Sequence, residues 1–339
     1  MKPAFSVCRT SDVYIGPAAR LLPDLLPEGR VIAVTDDEVY RCHGELLAPF
    51  ETVRIGRGER CKTLSTVEGL CRRLIAAGAD RKTFILGVGG GIVTDVAGFA
   101  AATYMRGVGF GFVSTTLLGQ VDASVGGKNG VNVAGYKNMV GTFTQPRFVV
   151  CDPSLLATLP DREFRAGLAE AVKAAVIGDG ALFELLERSS FGELRGDAGL
   201  LGRVVESAVG VKAAIVGRDE HEAGERRKLN LGHTLAHAIE KCSDRMNHGE
   251  AVAVGTVLAA VRLGVLAPPV RDRIRALLVR LGFAVEPPVA VGELLQQVGK
   301  DKKSEAGILH VVFPTGIGSC EVRPMAREAF AALFDAENV

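Results

Sequence analysis

The stretch TFILGVGGGIVTDVAGFAAATYM, residues 83–105, limits the fold more than any other part of the chain. Its apolar opening reads as a buried strand, the glycines as a tight turn, and the alanine-rich continuation as a helix. A strand that passes through glycine into a helix is the repeating unit of an α/β sheet. The pattern is repeated nearby. RVIAVTDDEVY reads as a strand running into a turn with Asp36 and Asp37, while GFGFVSTTLL and RFVVCDPSLLATLP supply two further strands. Strands interleaved with helices predict a mostly parallel sheet with helices on its faces.

From about residue 161 the pattern changes. REFRAGLAEAVKAAVI, LLGRVVESAVGVKAAIV, LNLGHTLAHAIE, GEAVAVGTVLAAVRLGVL and VRDRIRALLVRLG carry helical periodicity, punctuated by APPV and EPPVA. The expected architecture is an α/β Rossmann-like domain over residues 1–160, followed by an all-α domain over 161–339. A chain of 339 residues is long enough for two such units.

A net charge of +1 gives no basic excess with which to hold nucleic acid. No apolar run approaches the roughly 18 residues needed to span a bilayer, and MKPAFSVCRTSDVY has no secretory signal pattern. The seven cysteines are scattered without a CxxC, which fits reduced thiols in the cytoplasm and argues against a cysteine metal site.

Several constellations carry chemistry. GVGGGIVTD (87–95) places glycines between strand and helix, where backbone amides can approach a phosphate; a ligand-free tight turn would look the same. Asp36 follows an earlier strand and suits a ribose diol, or simply a turn. Residues 114–143 hold Asp122, Lys128, Lys137 and Asn138 in a long glycine-rich segment, which suggests a functional loop that captures an anion. Glu170 and Lys173 share one helical face, either as a surface salt bridge or, given their alanine neighbours, as part of a site.

His233 and His237 lie one helical turn apart in LNLGHTLAHAIE, without the glutamate of HExxH. If 226–239 is read as one helix, Arg226, Asn230, His233 and His237 line one side and Leu231, Leu235, Ala238 and Ile239 the other. A cation, an amide and two imidazoles are unlike an ordinary solvated stripe of Glu and Lys, and His248 follows at the start of the next helix. Two of these histidines with Glu170 would make a His₂–carboxylate set that leaves metal positions open for substrate.

At this point the chain resembles the 3-dehydroquinate synthases across nearly its full length. The resemblance rests on ordered blocks that include GERCKTLSTVE, GVGGGIVTDVAGFAAATYMRG, STTLLGQVDASVGGKNGVN, KNMVGTF, TLPDREFRAGLAEAVK, RDEHEAGERRKLNLGHTLAHAIE, HGEAVAVG and GKDKKSEAG. It implies an NAD- and zinc-dependent lyase, typically a homodimer, with cobalt as an alternative metal. The implied reaction turns 3-deoxy-D-arabino-heptulosonate 7-phosphate into 3-dehydroquinate and phosphate, a step of the shikimate pathway. It proceeds by transient oxidation, phosphate elimination, re-reduction and intramolecular aldol closure.

The resemblance assigns the metal to Glu170, His233 and His248, and makes His237 a phosphate and proton-transfer residue. Cofactor positions fall on Asp36, Glu59, Lys62, Gly89, Gly90 and Gly91, then on Asp95, Thr115, Thr116, Lys128 and Lys137, with Leu155 and Thr158 nearby. Asp122, Lys128, Lys173, Lys212, Arg226 and Asn230 correspond to positions around the substrate. Lys128, Asn138 and His237 resemble a phosphate cradle, and Arg106 an arginine reaching it from a partner subunit. KDKK supplies one further lysine, Lys302 or Lys303.

Thr94, Ala123 and Asn129 depart from the family pattern, but none removes a charged or metal-binding position. Two rivals stand beside it: sister sugar-phosphate cyclases, which share the NAD and zinc machinery and make an amino-dehydroquinate, an inosose or a valiolone, and metal-dependent NAD alcohol or glycerol dehydrogenases, which share the general fold and a glycine turn. DASVGGK, Lys212, Arg226 and Asn230 favour dehydroquinate synthase over the first. The number of phosphate-directed lysines argues against the second.

Overall fold

The computed structural model describes residues 2–263, 265–299 and 307–334. They form two compact units, divided between Phe164 and Arg165. Lys302 and Lys303 lie outside the described residues.

The first unit is built on a seven-stranded sheet. Its strands are β1 (Phe5–Val7), β2 (Ser11–Ile15), β3 (Val31–Thr35), β4 (Glu51–Arg54), β5 (Phe84–Gly89) and β6 (Phe110–Ser114), with a seventh, Phe148–Cys151, considered below as β9. Between them in sequence, β7 (Lys128–Val133) and β8 (Tyr136–Phe143) form a separate antiparallel pair. The sheet order is β1-β2-β9-β6-β5-β3-β4, parallel throughout except for the β1–β2 hairpin. Every residue of β5, β6 and β9 is buried, as a parallel sheet covered on both faces requires.

The chain runs from β3 outward to β4, then crosses back to β5 on the other side of β3. The strand order therefore reverses between β3 and β5, and open α/β sheets bind ligands in the crevice at the carboxyl ends of such strands. Asp36 follows β3 there, and Gly89, Gly90 and Gly91 end β5 and begin the helix Gly91–Thr103.

The segment 114–143 is not the long loop expected from its glycines. A single π-helical turn, Gly119–Ala123, is followed by the β7–β8 pair. Asn129 is buried and clips this region together, its amide donating to the carbonyls of Gly127 (3.0 Å) and Thr144 (2.8 Å).

The second unit is helix-rich. Its longer helices are Asp161–Gly178, which begins in the first unit, then Ala198–Arg218, His233–Cys242, His248–Arg262 and Pro268–Arg280. It is not all-α, because β10 (Ile308–Gly316) and β11 (Ser319–Ala326) pair antiparallel near the end of the chain. Nor is 226–239 one helix. A 3₁₀ turn, Glu225–Asn230, ends before Gly232, whose left-handed φ of +74° turns the chain into His233–Cys242. The polar stripe expected from a single helical wheel is therefore two pieces joined at a corner.

Candidate active site

Three helices of the second unit bring the metal-ligand candidates together. Glu170 comes from Asp161–Gly178, and His233 and His248 each stand at the first position of their helices. One ligand atom from each lies within 4.8 Å of the others. Nε2 of His248 is 3.3 Å from Glu170 Oε1, and Nε2 of His233 is 3.6 Å from the same oxygen. Two imidazole nitrogens converging on one carboxylate oxygen suit zinc or a similar divalent ion, and three protein donors leave room for substrate.

Glycines make this convergence possible. A Cβ on Gly249 would sit 2.2 Å from the Ala166 Cα, so the helix carrying His248 crosses the helix carrying Glu170 in backbone contact. At Gly232 a Cβ would lie 2.6 Å from the backbone nitrogen of Thr256, beside the His248 helix. Asn247 caps that helix through a reciprocal capping box with Glu250, which fixes the backbone from which His248 projects.

The outward nitrogens of both histidines are engaged as well. His233 Nδ1 donates to the Leu231 carbonyl at 3.2 Å, and His248 Nδ1 lies 3.4 Å from Glu240 Oε1. These partners orient the rings so that each Nε2 faces Glu170. Burial, reinforced by the Lys173 charge, pushes the His233 imidazole down to about 3. Burial also acts to lower His248, but hydrogen bonds to Glu170 and Glu240 outweigh it and carry that imidazole up to about 9.

Glu170 and Lys173 are a buried ion pair and not a surface salt bridge. Lys212 and Arg226 are also buried, at 8% and 2% exposure. Cations out of water need partners. Arg226 donates through Nη1 to the Glu220 carbonyl, while its backbone N–H donates to Asp219 at 2.8 Å. Asn230 donates to Glu222 at 2.5 Å. A fork of two hydrogen bonds from Arg218 to Glu225, 2.7 and 2.9 Å, anchors the turn that carries both residues. His237 lies one turn beyond His233, with ring centroids 5.5 Å apart.

In the first unit, Asp36 caps the helix Asp37–Leu47, accepting from the Val39 N–H at 2.7 Å. Lys62 is buried in an ion pair with Asp95, and Glu59 accepts from Asn132 at 2.6 Å. Asn132 accepts in turn from the Asn138 backbone N–H at 2.9 Å, tying the β7–β8 pair to the turn bearing Glu59. Thr115 donates to the Gly89 carbonyl at 3.0 Å, and Thr116 accepts from Gly119 at 3.0 Å, next to the glycine turn. Asp122 lies in the π-helical turn. Lys128 is exposed on β7, 5.9 Å from the Phe143 ring centroid, and Lys137 and Asn138 are exposed on β8. Leu155 and Thr158 occupy the 3₁₀ turn Pro153–Thr158. Arg106 is exposed with φ +70°, directly after Met105 at φ +50°.

Of the departures from the family pattern, Thr94 folds its hydroxyl back onto the Gly91 carbonyl at 3.1 Å, inside its own helix. Ala123 packs against Gly91. Two neighbours of the expected residues emerge only in the structure. His43, at a kink in Asp37–Leu47, lies 3.0 Å through Nε2 from the Thr158 hydroxyl. Glu240 follows His233 by seven residues, which puts both on one helical face, and that spacing was a usable signal.

A glycine turn at the switch point of a parallel sheet, with a Glu–His–His cluster in a helix-rich unit, defines the class: an α/β enzyme equipped for a dinucleotide and a divalent metal. Models of the 3-dehydroquinate synthase N-terminal and C-terminal regions match residues 52–166 and 167–304. The chain belongs to the 3-dehydroquinate synthase family. It is 44% identical over 327 residues to the 3-dehydroquinate synthase of Halorhodospira halophila, covering 93% of this chain and 92% of that one. Among solved structures it is similar to a 2-deoxy-scyllo-inosose synthase complexed with carbaglucose-6-phosphate, NAD⁺ and Co²⁺, with TM-score 0.84 and 26% identity over 95% of each chain. It is also similar to the 2-epi-5-epi-valiolone synthase of Streptomyces hygroscopicus with NAD⁺ and Zn²⁺ bound, with TM-score 0.83 and 29% identity over 95% of each.

Proposed function

We propose that this chain converts 3-deoxy-D-arabino-heptulosonate 7-phosphate into 3-dehydroquinate and phosphate, using NAD and a divalent metal, zinc or cobalt. The observation that carries the proposal is the convergence of His233 and His248 on Glu170, with Lys173 buried against the same carboxylate. Residues 1–160 serve the cofactor, and 161–339 the metal and substrate.

When bound, NAD supplies a hydride acceptor regenerated within one turnover, and the metal supplies Lewis acidity at neighbouring substrate hydroxyls. The protein's own residues hold charge and geometry. Glu170, His233 and His248 hold the metal. Lys173, Lys212 and Arg226, being buried, present their charges to the substrate's anionic and hydroxyl groups with little competition from water. Asn230 hydrogen-bonds beside Arg226, and Asp122 meets substrate hydroxyls. His237 holds or passes a proton at the phosphate, to which Lys128 and Asn138 are also assigned. Orientation of this kind accounts for much of such catalysis.

On the cofactor side, Asp36 takes the ribose diol, and Gly89, Gly90 and Gly91 admit the pyrophosphate to the helix N-terminus. Glu59, Lys62, Asp95, Thr115, Thr116, Lys137, Leu155 and Thr158 complete the cofactor's surroundings, and Lys128 contributes there too. Lys302 or Lys303 is assigned to substrate.

The active form is a homodimer in which Arg106 reaches a partner's substrate; the exposed turn at Met105 and Arg106 supports this. The protein works in the cytoplasm, a placement supported by seven free cysteines. No helix among the described residues is long and apolar enough to cross a membrane.

Substrate choice tests the reading against the sister cyclases. Phosphate should be released from the heptulosonate phosphate and not from glucose 6-phosphate, which has no carboxylate for Arg226 and Lys212. Release from glucose 6-phosphate alone would assign the chain to the inosose-forming class.

A further inference from the structure

The site contains a buried acid that is not one of the proposed ligands. Glu240 lies on the helix His233–Cys242, two turns after His233 and on the same face. Its Oε1 is 3.4 Å from His248 Nδ1, the nitrogen turned away from Glu170, and its side chain is only 8% exposed. One helix thus supplies the ligand His233 and also a carboxylate behind the second histidine.

We infer that Glu240 is a positioning residue for His248, holding its ring so that Nε2 faces the metal. The inference rests on the metal-site reading given above. The capping box of Asn247 and Glu250 fixes where His248 leaves the backbone, but not how its imidazole is rotated. An acceptor on Nδ1 fixes that rotation and the tautomer together. His233 receives this service from the Leu231 carbonyl, a neutral acceptor close in sequence. His248, with a side chain 33% exposed against 12% for His233, receives a carboxylate from another helix. A charged acceptor also draws on the Nδ1 proton and makes Nε2 the more basic donor.

The test is zinc affinity, measured by titrating metal-free protein against a chromophoric chelator. Glu240→Ala should weaken zinc binding by about 10–100-fold, the usual cost of losing an outer partner. Glu240→Gln keeps a hydrogen-bond acceptor of the same size without the charge, and should recover part of that loss. The visible spectrum of the cobalt-loaded protein should shift in both variants, because it reports the ligand field and not folding. Thermal melts of the metal-free variants identify any that fail to fold, and Glu240→Gln carries the test if Glu240→Ala does.

Zinc affinity and cobalt spectra unchanged in both folded variants would overturn the inference. His248→Ala separates the two claims. If it loses zinc while the Glu240 variants keep theirs, only the role of Glu240 falls. If it binds zinc like the parent, the metal-site reading falls as well.

Discussion

Glu170 and His248, on two helices that are not consecutive in the chain, meet at 3.3 Å because Gly249 and Ala166 let the helix backbones touch. The candidate metal centre is thus a property of helix crossing. No short motif encodes it, and this is why the histidine pair four residues apart was ambiguous when read alone.

That contact can be broken without touching a ligand. Gly249→Ala places a methyl group where Ala166 has backbone, and overpacking of this kind costs about 1–3 kcal/mol. The variant should unfold at lower temperature and hold less metal per chain, as read by thermal melts and elemental analysis. Full metal content with an unchanged melt would show that the crossing does not position His248.

The two histidines of LNLGHTLAHAIE should behave differently. His233→Ala and His248→Ala should abolish turnover and lower metal content, by more than the roughly 10–100-fold affinity loss of an outer-partner deletion. His237→Ala should slow turnover with metal retained. Equal metal loss in the His237 and His248 variants would contradict the ligand assignment.

Lys173 faces Glu170 inside the second unit. Breaking one side of a buried pair costs up to roughly 3–5 kcal/mol when a charge is left alone out of water; in the metal-free protein the His248 imidazolium beside Glu170 offsets part of that cost. Lys173→Met should therefore destabilise the metal-free protein, by less than that full cost. It should destabilise the metal-loaded protein less, since the cation then balances Glu170. Melts with and without zinc read the difference, and equal losses in both states would contradict the account.

The anchor of the turn that carries Arg226 and Asn230 has a pH signature. The hydrogen bonds from Arg218 hold the Glu225 carboxyl down to about 2, below its ordinary value of 4.5. A depressed acid stabilises the fold above its unfolded value, so this contribution is present above about 4.5 and lost as pH falls towards 2. Glu225→Gln should flatten the acid side of the stability curve in that window. At neutral pH it should loosen Arg226 and raise the substrate KM more than it lowers kcat.

Much of this was legible in the sequence where burial is continuous. FILGVG and FGFVS are short apolar runs buried on both faces, and they read as strands without help. The β7–β8 pair does not, because Gly130 in β7 and Gly141 in β8 interrupt the alternation that marks a strand. β10 and β11 do not stand out because Ile308–Gly316 mixes exposed, half-buried and buried positions within a chain that otherwise reads as helical. The corner at Gly232 does not show in the sequence, since a lone glycine in a helical pattern is a weak stop and the contact with Gly255 and Thr256 comes from far along the chain. Among the site residues, sequence spacing placed Glu170 and Lys173 together, but their burial and the part played by Glu240 depend on other helices.

The proposed enzyme is a phosphate-eliminating cyclase that recycles its own NAD. The most direct measurement is phosphate release from 3-deoxy-D-arabino-heptulosonate 7-phosphate with catalytic NAD⁺ and zinc, recorded together with absorbance for NADH. Such a cyclase releases one phosphate per substrate, accumulates no NADH, and stops in the presence of a chelator. Steady NADH formation without phosphate would contradict it and identify a polyol dehydrogenase instead.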